Sequence, residues 1–251
     1  MTKMTVTKMK TSLLSTLLIH TFFTAFLSTN GAQADASSFY FLKSEAAHQE
    51  YEVSPPPEAG STEDIKDLDQ VKAYQKSRTA EDCKRAQFEV VPSLEHFYGA
   101  PYGTLSAAQI HVLDSFFTRL EYDVDVVVHR YKQKWSRPRP YTRDPLIEPC
   151  LRLEGSKAYP SGHAGISWAA GRALSELFPE QSDVFMKRAK QIGSDRVLGG
   201  VHHPSDVEAG QKLADQVYAE VKKTAAFKKE WPNLVKELKD LKKAETVKPE
   251  N

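Results

Sequence analysis

Ser106-Ala-Ala-Gln-Ile-His-Val-Leu-Asp-Ser-Phe-Phe-Thr-Arg-Leu-Glu-Tyr-Asp-Val-Asp-Val-Val-Val-His-Arg-Tyr131 is the stretch from which the fold is read. Ser106-Ala-Ala-Gln109 is a capping box, with a hydroxyl at the cap and an amide three residues on. Behind it Ile110, Leu113, Phe116, Phe117, Leu120, Val124, Val127, Val128 and Tyr131 recur on one broad helical face, which must be buried. The helix delivers Lys132 at its C-terminal end, just before the prolines of Arg137-Pro138-Arg139-Pro140 stop it.

Outward from this helix the pattern stays helical. His163 to Phe178 is a mostly apolar core helix ending at Pro179; Ser182 caps another toward Val197, and the residues around Ser205 start one through Val207, Leu213 and Val221. On the N-terminal side, Ser61-Thr-Glu-Asp64 and Thr79-Ala-Glu-Asp82 each open a helix. With no period-2 runs and no internal repeat, the expected fold class is all-α, a single-domain helical bundle over 62–225. A polar arm with Pro55-Pro56-Pro57 occupies 35–61, lying on the body or equally on a second subunit of a homo-oligomer. The segment 226–251 is a charged C-terminal helix or tail whose end is expected to fray.

Lys3, Lys8 and Lys10 precede an apolar run from Leu13 to Phe26, and Ala32-Gln33-Ala34 offers small residues for cleavage, so 1–34 reads as a secretory signal peptide. The run is too short and too polar for a membrane span, and none follows it, so no stable membrane insertion is expected after its removal. Without those three lysines, 34 basic against 33 acidic residues becomes 31 against 33. A chain this close to neutral is no general nucleic-acid binder. The expected location is periplasmic or secreted. Cys83 and Cys150 would there meet an oxidising compartment, which makes them a candidate disulfide, with two separate thiols as the alternative.

Three clusters carry the chemistry: Lys132 to Pro140, Tyr159-Pro160-Ser161-Gly162-His163, and Arg196 to Asp206. A phosphoryl group in its transition state spreads charge over three oxygens, so fixed cations and N–H donors are what a protein can supply. Lys132, Arg139 and Arg196 are the cations; Ser161 and Gly162, opening a helix, add backbone N–H groups. His202 has Asp206 four residues on, within reach on a helical turn, so the carboxylate can hold one ring nitrogen and aim the other at phosphorus. His163 is the proton donor. Lys134 and Arg137 read as surface charges, and His203 as pointing away from its neighbour. Zinc on His163, His202 and His203 lacks the usual ligand spacing, so no metal is assigned.

The same residues resemble the type 2 phosphatidic acid phosphatase superfamily, whose pattern runs K-x6-R-P, then P-S-G-H, then S-R-x5-H-x3-D. Lys132, Arg139, Pro140, Pro160, Ser161, Gly162, His163, Arg196, His202 and Asp206 match it in order, while Asp195 stands where the pattern has serine. The resemblance implies a bundle of the acid phosphatase and vanadium haloperoxidase type. It further implies a phosphohistidine on His202 oriented by Asp206, leaving-group protonation by His163, and phosphate held by Lys132, Arg139, Ser161, Gly162 and Arg196. Within the superfamily the chain is most similar to soluble bacterial class A nonspecific acid phosphatases. The expected activity is therefore a metal-independent acid phosphatase acting on small phosphorylated substrates, with no cofactor and with vanadate as an inhibitor. A vanadium-dependent haloperoxidase and a non-catalytic phosphate-binding protein are the alternatives. The pocket rim is expected from Tyr98–Tyr102, the Tyr141–Glu154 loop and the arm.

Overall fold

The computed structural model describes residues 40–42, 44–99 and 103–247. The expected signal peptide, part of the arm and residues 100–102 of the expected rim lie outside the described residues. The described ones form helices and connecting loops: α1 Ser44–His48, α2 Thr62–Ser77, α3 Ala80–Phe88, α4 Ala107–Trp135, α5 Pro140–Arg143, α6 Gly162–Leu177, α7 Ser182–Leu198, α8 Pro204–Lys223 and α9 Ala225–Val247. Among the described residues there is no named strand; a lone bridge joins Tyr98 to Leu105.

Helix α4 runs through the centre, against α6, α8 and α9. Its capping box closes in both directions, Gln109 N–H donating to Ser106 Oγ (3.2 Å) and Ser106 N–H to Gln109 Oε1 (2.8 Å). Leu113, Phe116, Leu120, Val124, Val127 and Val128 on its inner face are almost wholly buried; each large apolar side chain contributes about 1.5–3 kcal/mol when taken out of water. Ser136, in the left-handed region at φ 48°, ends the helix with its N–H on Lys132 O. The chain thus turns immediately after Lys132 and sends Arg137 and Arg139 back over the bundle.

One polar residue interrupts the buried face of α4. Asp123, with no exposed surface, accepts N–H groups of Tyr40, Phe41 and Leu42 (2.9, 2.7 and 2.9 Å) and so fastens the arm to the central helix. Farther along, Tyr51 N–H donates to Tyr131 Oη (2.6 Å). Beside the arm, where Phe41 meets Phe227 at 6.4 Å, α9 buries Phe227, Leu234 and Leu238, with Trp231 stacked on Phe227 at 4.8 Å. These aromatic anchors hold a helix whose charge alone suggests fraying.

Two features bring the clusters together. A Cβ on Gly210 would stand 2.3 Å from Ser161 O, so only glycine lets α8 approach the start of α6. There Ser161 N–H donates to Asp206 O (2.8 Å), joining the second cluster to the third. The loop from Asp144 to Glu154 is strapped to α2 and α3 by the Cys83–Cys150 disulfide (S–S 2.08 Å) and by Arg78, whose guanidinium donates to Leu198 O and Glu148 O.

Candidate active site

Arg139, at the N-cap of α5, is the residue around which the site is built. It is 3% exposed. Its Nε donates to Ser156 O (2.9 Å), Nη1 to Val201 O (2.9 Å), and Nη2 to Ser156 Oγ (3.0 Å). Thus anchored, Nη1 also donates to His202 Nε2 at 2.8 Å, and Nη2 to Glu154 Oε2 at 2.5 Å. Arg196, in the last turn of α7 and 1% exposed, donates through Nη2 to the other oxygen of the same Glu154, while its buried Nε and Nη1 have no protein partner. Two arginines from distant clusters therefore share one carboxylate.

His202 follows the Gly199-Gly200 turn, where Gly200 takes φ 82°. Its ring is wholly buried, with Nδ1 3.2 Å from Asp206 Oδ2. Since Asp206 is a carboxylate, that bond needs a proton on Nδ1; Nε2 is then the lone-pair nitrogen, facing Arg139. Burial, aided by Arg139, holds the ring's pKa well below its ordinary value, so the imidazole is neutral and nucleophilic. The Asp206 carboxyl is held well below the usual range: burial opposes its charge, but the hydrogen bonds from His202 and His203 outweigh that.

Lys132 is buried at the end of α4, its ammonium donating to Lys157 O. Burial, with Arg139 adding repulsion, brings its pKa down to about 8, which leaves it charged in acid. Gly162 and His163 open α6, and with Lys132 and Glu154 they line a cavity of about 400 Å³ bordered outside by Glu121, Tyr122 and Asp125. His163 meets Val90 O through Nε2 (2.7 Å). Burial, then Arg196, draw its pKa down to about 4. Ser161 is fully buried, and its hydroxyl accepts Ala164 N–H (3.4 Å) as the cap of α6.

The structure corrects two expectations. Arg137 is not a surface charge but 5% exposed: Nη1 donates to Asp206 Oδ1 (2.6 Å), and Nη2 to Asp64 Oδ1 (3.0 Å) and Asp67 Oδ2 (2.8 Å). The reason is local acidity, because α2 brings two buried aspartates that a basic turn can neutralise. His203 does not point away; its Nδ1 lies 2.9 Å from the same Asp206 Oδ2 that holds His202, and Arg143 donates to its Nε2 (3.1 Å). Sequence reasoning missed Asp64, Asp67 and Arg143 in this network, and placed Glu154 only on a rim. The spacing of Asp64 and Asp67 on one face of α2 was a signal, though a weak one without a partner. Asp195, the departure from the pattern, faces α3, where Arg85 grips it bidentately (2.8 and 2.8 Å).

Among the described residues no group of three or more His, Cys, Asp or Glu is placed to hold a metal ion, and no helix is long and apolar enough to cross a membrane. The profile of the PAP2 superfamily matches residues 118–214. A non-specific acid phosphatase of Providencia stuartii is 31% identical over 221 residues, covering 82% of this chain and 86% of that protein. An acid phosphatase of Zymomonas mobilis is 28% identical over 223 residues, covering 84% and 82%. Among solved structures, an apo-type bacterial vanadium-dependent chloroperoxidase superposes with a TM-score of 0.51 at 12% identity, over 74% of this chain and 54% of that one, and so shares the fold. The chain spans about half the length of the haloperoxidases it matches. With the buried His202–Asp206 pair, the arginines around it and this agreement over most of the sequence, the chain belongs to the PAP2 superfamily.

Proposed function

We propose that this protein is an exported acid phosphatase that hydrolyses small phosphate monoesters through a phosphohistidine on His202. The observation that carries the reading is the state of that ring: one nitrogen tied to Asp206, the other bare of hydrogen and facing Arg139. Simple anion capture needs no such nucleophile. The relatives named acid phosphatase, matched over most of their length, support the same activity. Residues 1–34 are its signal peptide, and the mature protein works in the periplasm or outside the cell.

In the reaction His202 Nε2 attacks phosphorus, the bond to the ester oxygen breaks, and His163 gives that oxygen its proton. Water then attacks the phosphohistidine, His163 takes a proton back, and inorganic phosphate leaves. Lys132, Arg139 and Arg196 balance charge on the equatorial oxygens, and the Gly162 N–H at the start of α6 adds to them, whereas the Ser161 N–H is taken by Asp206 O. His163 is neutral in the free protein above about pH 4. A bound phosphate raises its proton affinity, and acid favours the donor form.

The test is aryl phosphate hydrolysis in EDTA by the mature chain and by His202→Ala. The intact protein is expected to turn over and to be inhibited by vanadate. H202A is expected to lose at least about 1,000-fold in kcat while still binding inorganic phosphate. Activity abolished by the chelator, or retained by H202A, overturns the proposal.

A further inference from the structure

We infer that Glu154 is a resident stand-in for the phosphate: its carboxylate bridges Arg139 and Arg196 in the free protein, and an incoming phosphate must displace it. The inference rests on the phosphatase reading only for the identity of the incoming anion. Its evidence is geometric. Both oxygens of Glu154 are taken by guanidiniums from different clusters, one on Arg139 Nη2 and one on Arg196 Nη2. A tetrahedral oxyanion presents the same feature, two oxygens to two planar forks.

Three further observations separate a displaceable occupant from a permanent brace. Arg139 is held without Glu154, by Ser156 O, Ser156 Oγ and Val201 O. Arg196 keeps Nε and Nη1 buried and unpaired beside the carboxylate, so Glu154 satisfies it only in part and a ligand with more oxygens would do better. Glu154 itself is 23% exposed in its side chain and lines the open cavity, so it has somewhere to go. Its backbone is fixed in both directions by Tyr141, whose hydroxyl donates to Glu154 O (2.9 Å) and accepts Glu154 N–H (3.3 Å). The exchange is therefore a swing of the side chain, with the loop staying in place.

Charge drives it. Burial opposes ionisation of Glu154, but the positive charge around it, permanently that of Arg139 and Arg196, outweighs that, and its carboxyl stays charged well into acid. Acid therefore does not release it; an anion must outcompete it. When product phosphate leaves, the carboxylate returns and keeps the two buried arginines from being left without a counter-charge. Glu154 thus lowers affinity for substrate and product together and speeds product release.

Binding of inorganic phosphate and of orthovanadate to Glu154→Gln, Glu154→Ala and the unaltered chain, by calorimetry, tests this beside aryl phosphate kinetics. Removing the competing charge is expected to tighten phosphate by about tenfold or more, to lower KM, and to strengthen product inhibition. Glu154→Asp, which keeps the charge but is too short to span both arginines, should fall between and covers a neutral variant that folds poorly. A brace predicts the opposite sign, since loosened arginines bind less well. Unchanged or weakened phosphate binding in the folded variants overturns the inference. Tightened binding in a protein that turns over no ester would remove the phosphatase reading and leave the exchange standing.

Discussion

Arg137 and Arg139 leave the same proline-flanked turn two residues apart and enter different environments. Arg139 joins Arg196 in a buried cluster behind the cavity, where two guanidiniums share the single carboxylate of Glu154. Arg137 joins Arg143 in a network where Asp64, Asp67 and Asp206 answer two guanidiniums. The first cluster has cationic capacity left over for a ligand; the second has none. His202 and Asp206 stand at the seam, the imidazole turned to Arg139 and the carboxylate to the scaffold. The difference teaches that a phosphate site is recognised less by the number of its cations than by where their counter-charges stop.

Breaking the scaffold side should give the largest change in stability. Arg137→Met leaves Asp64, Asp67 and Asp206 buried with a cation missing, and the expected loss is about 3–5 kcal/mol in urea unfolding. Turnover should fall with it, because Asp206 would lose the donor on Oδ1. A loss below about 1 kcal/mol would mean the network is not the brace described here.

On the pocket side the same substitution should act on chemistry instead. Arg196→Met is expected to lower kcat/KM for an aryl phosphate by about 100-fold, as loss of a transition-state donor does. Its effect on stability should stay within about 1 kcal/mol, since Glu154 faces an open cavity and can turn to water. If R196M unfolds as readily as R137M, the contrast between the two clusters fails.

Acid sharpens the comparison with a smaller effect. His163 and His96 have folded pKa values drawn from 6.5 down to about 4, chiefly by burial. A depressed histidine is neutral in the fold while the unfolded chain already binds its proton. The stability tied to it is therefore complete above pH 6.5 and lost as pH falls toward 4. Glu89 and Glu121, pushed up to about 7 by burial, act with the opposite sign over the same window, so the histidine share is read as the difference in thermal midpoint between the unaltered chain and His163→Gln, and that difference should shrink as pH falls from 6.5 to 4. Saturating phosphate should restore part of the loss, because His163 can then carry its proton in the folded protein. A difference that stays constant or grows from pH 6.5 to 4 without ligand contradicts this account.

The helices were legible because their signals are local. The capping boxes at Ser106 and Thr79 and the apolar face from Leu113 to Tyr131 depend only on neighbours within a few turns, and all are present in the structure. His202 and Asp206 were legible for the same reason, being four residues apart on one turn. Arg137 was not: whether a guanidinium lies in water or against an aspartate depends on α2, some seventy residues earlier in the chain. Asp123 escaped notice likewise, because its partners are the backbone of a distant arm.

Residue order alone thus determined the helical class, the family and the inventory of groups able to handle a phosphoryl ester, since helix periodicity and motif spacing are written along the chain. Tertiary structure decided which of those groups are satisfied. It spent Arg137 and His203 on the scaffold and placed Glu154 between the pocket arginines. The physical reason is that a charge pairs with whatever opposite charge folding brings within about 4 Å, and that distance is set by the packing of helices far apart in sequence.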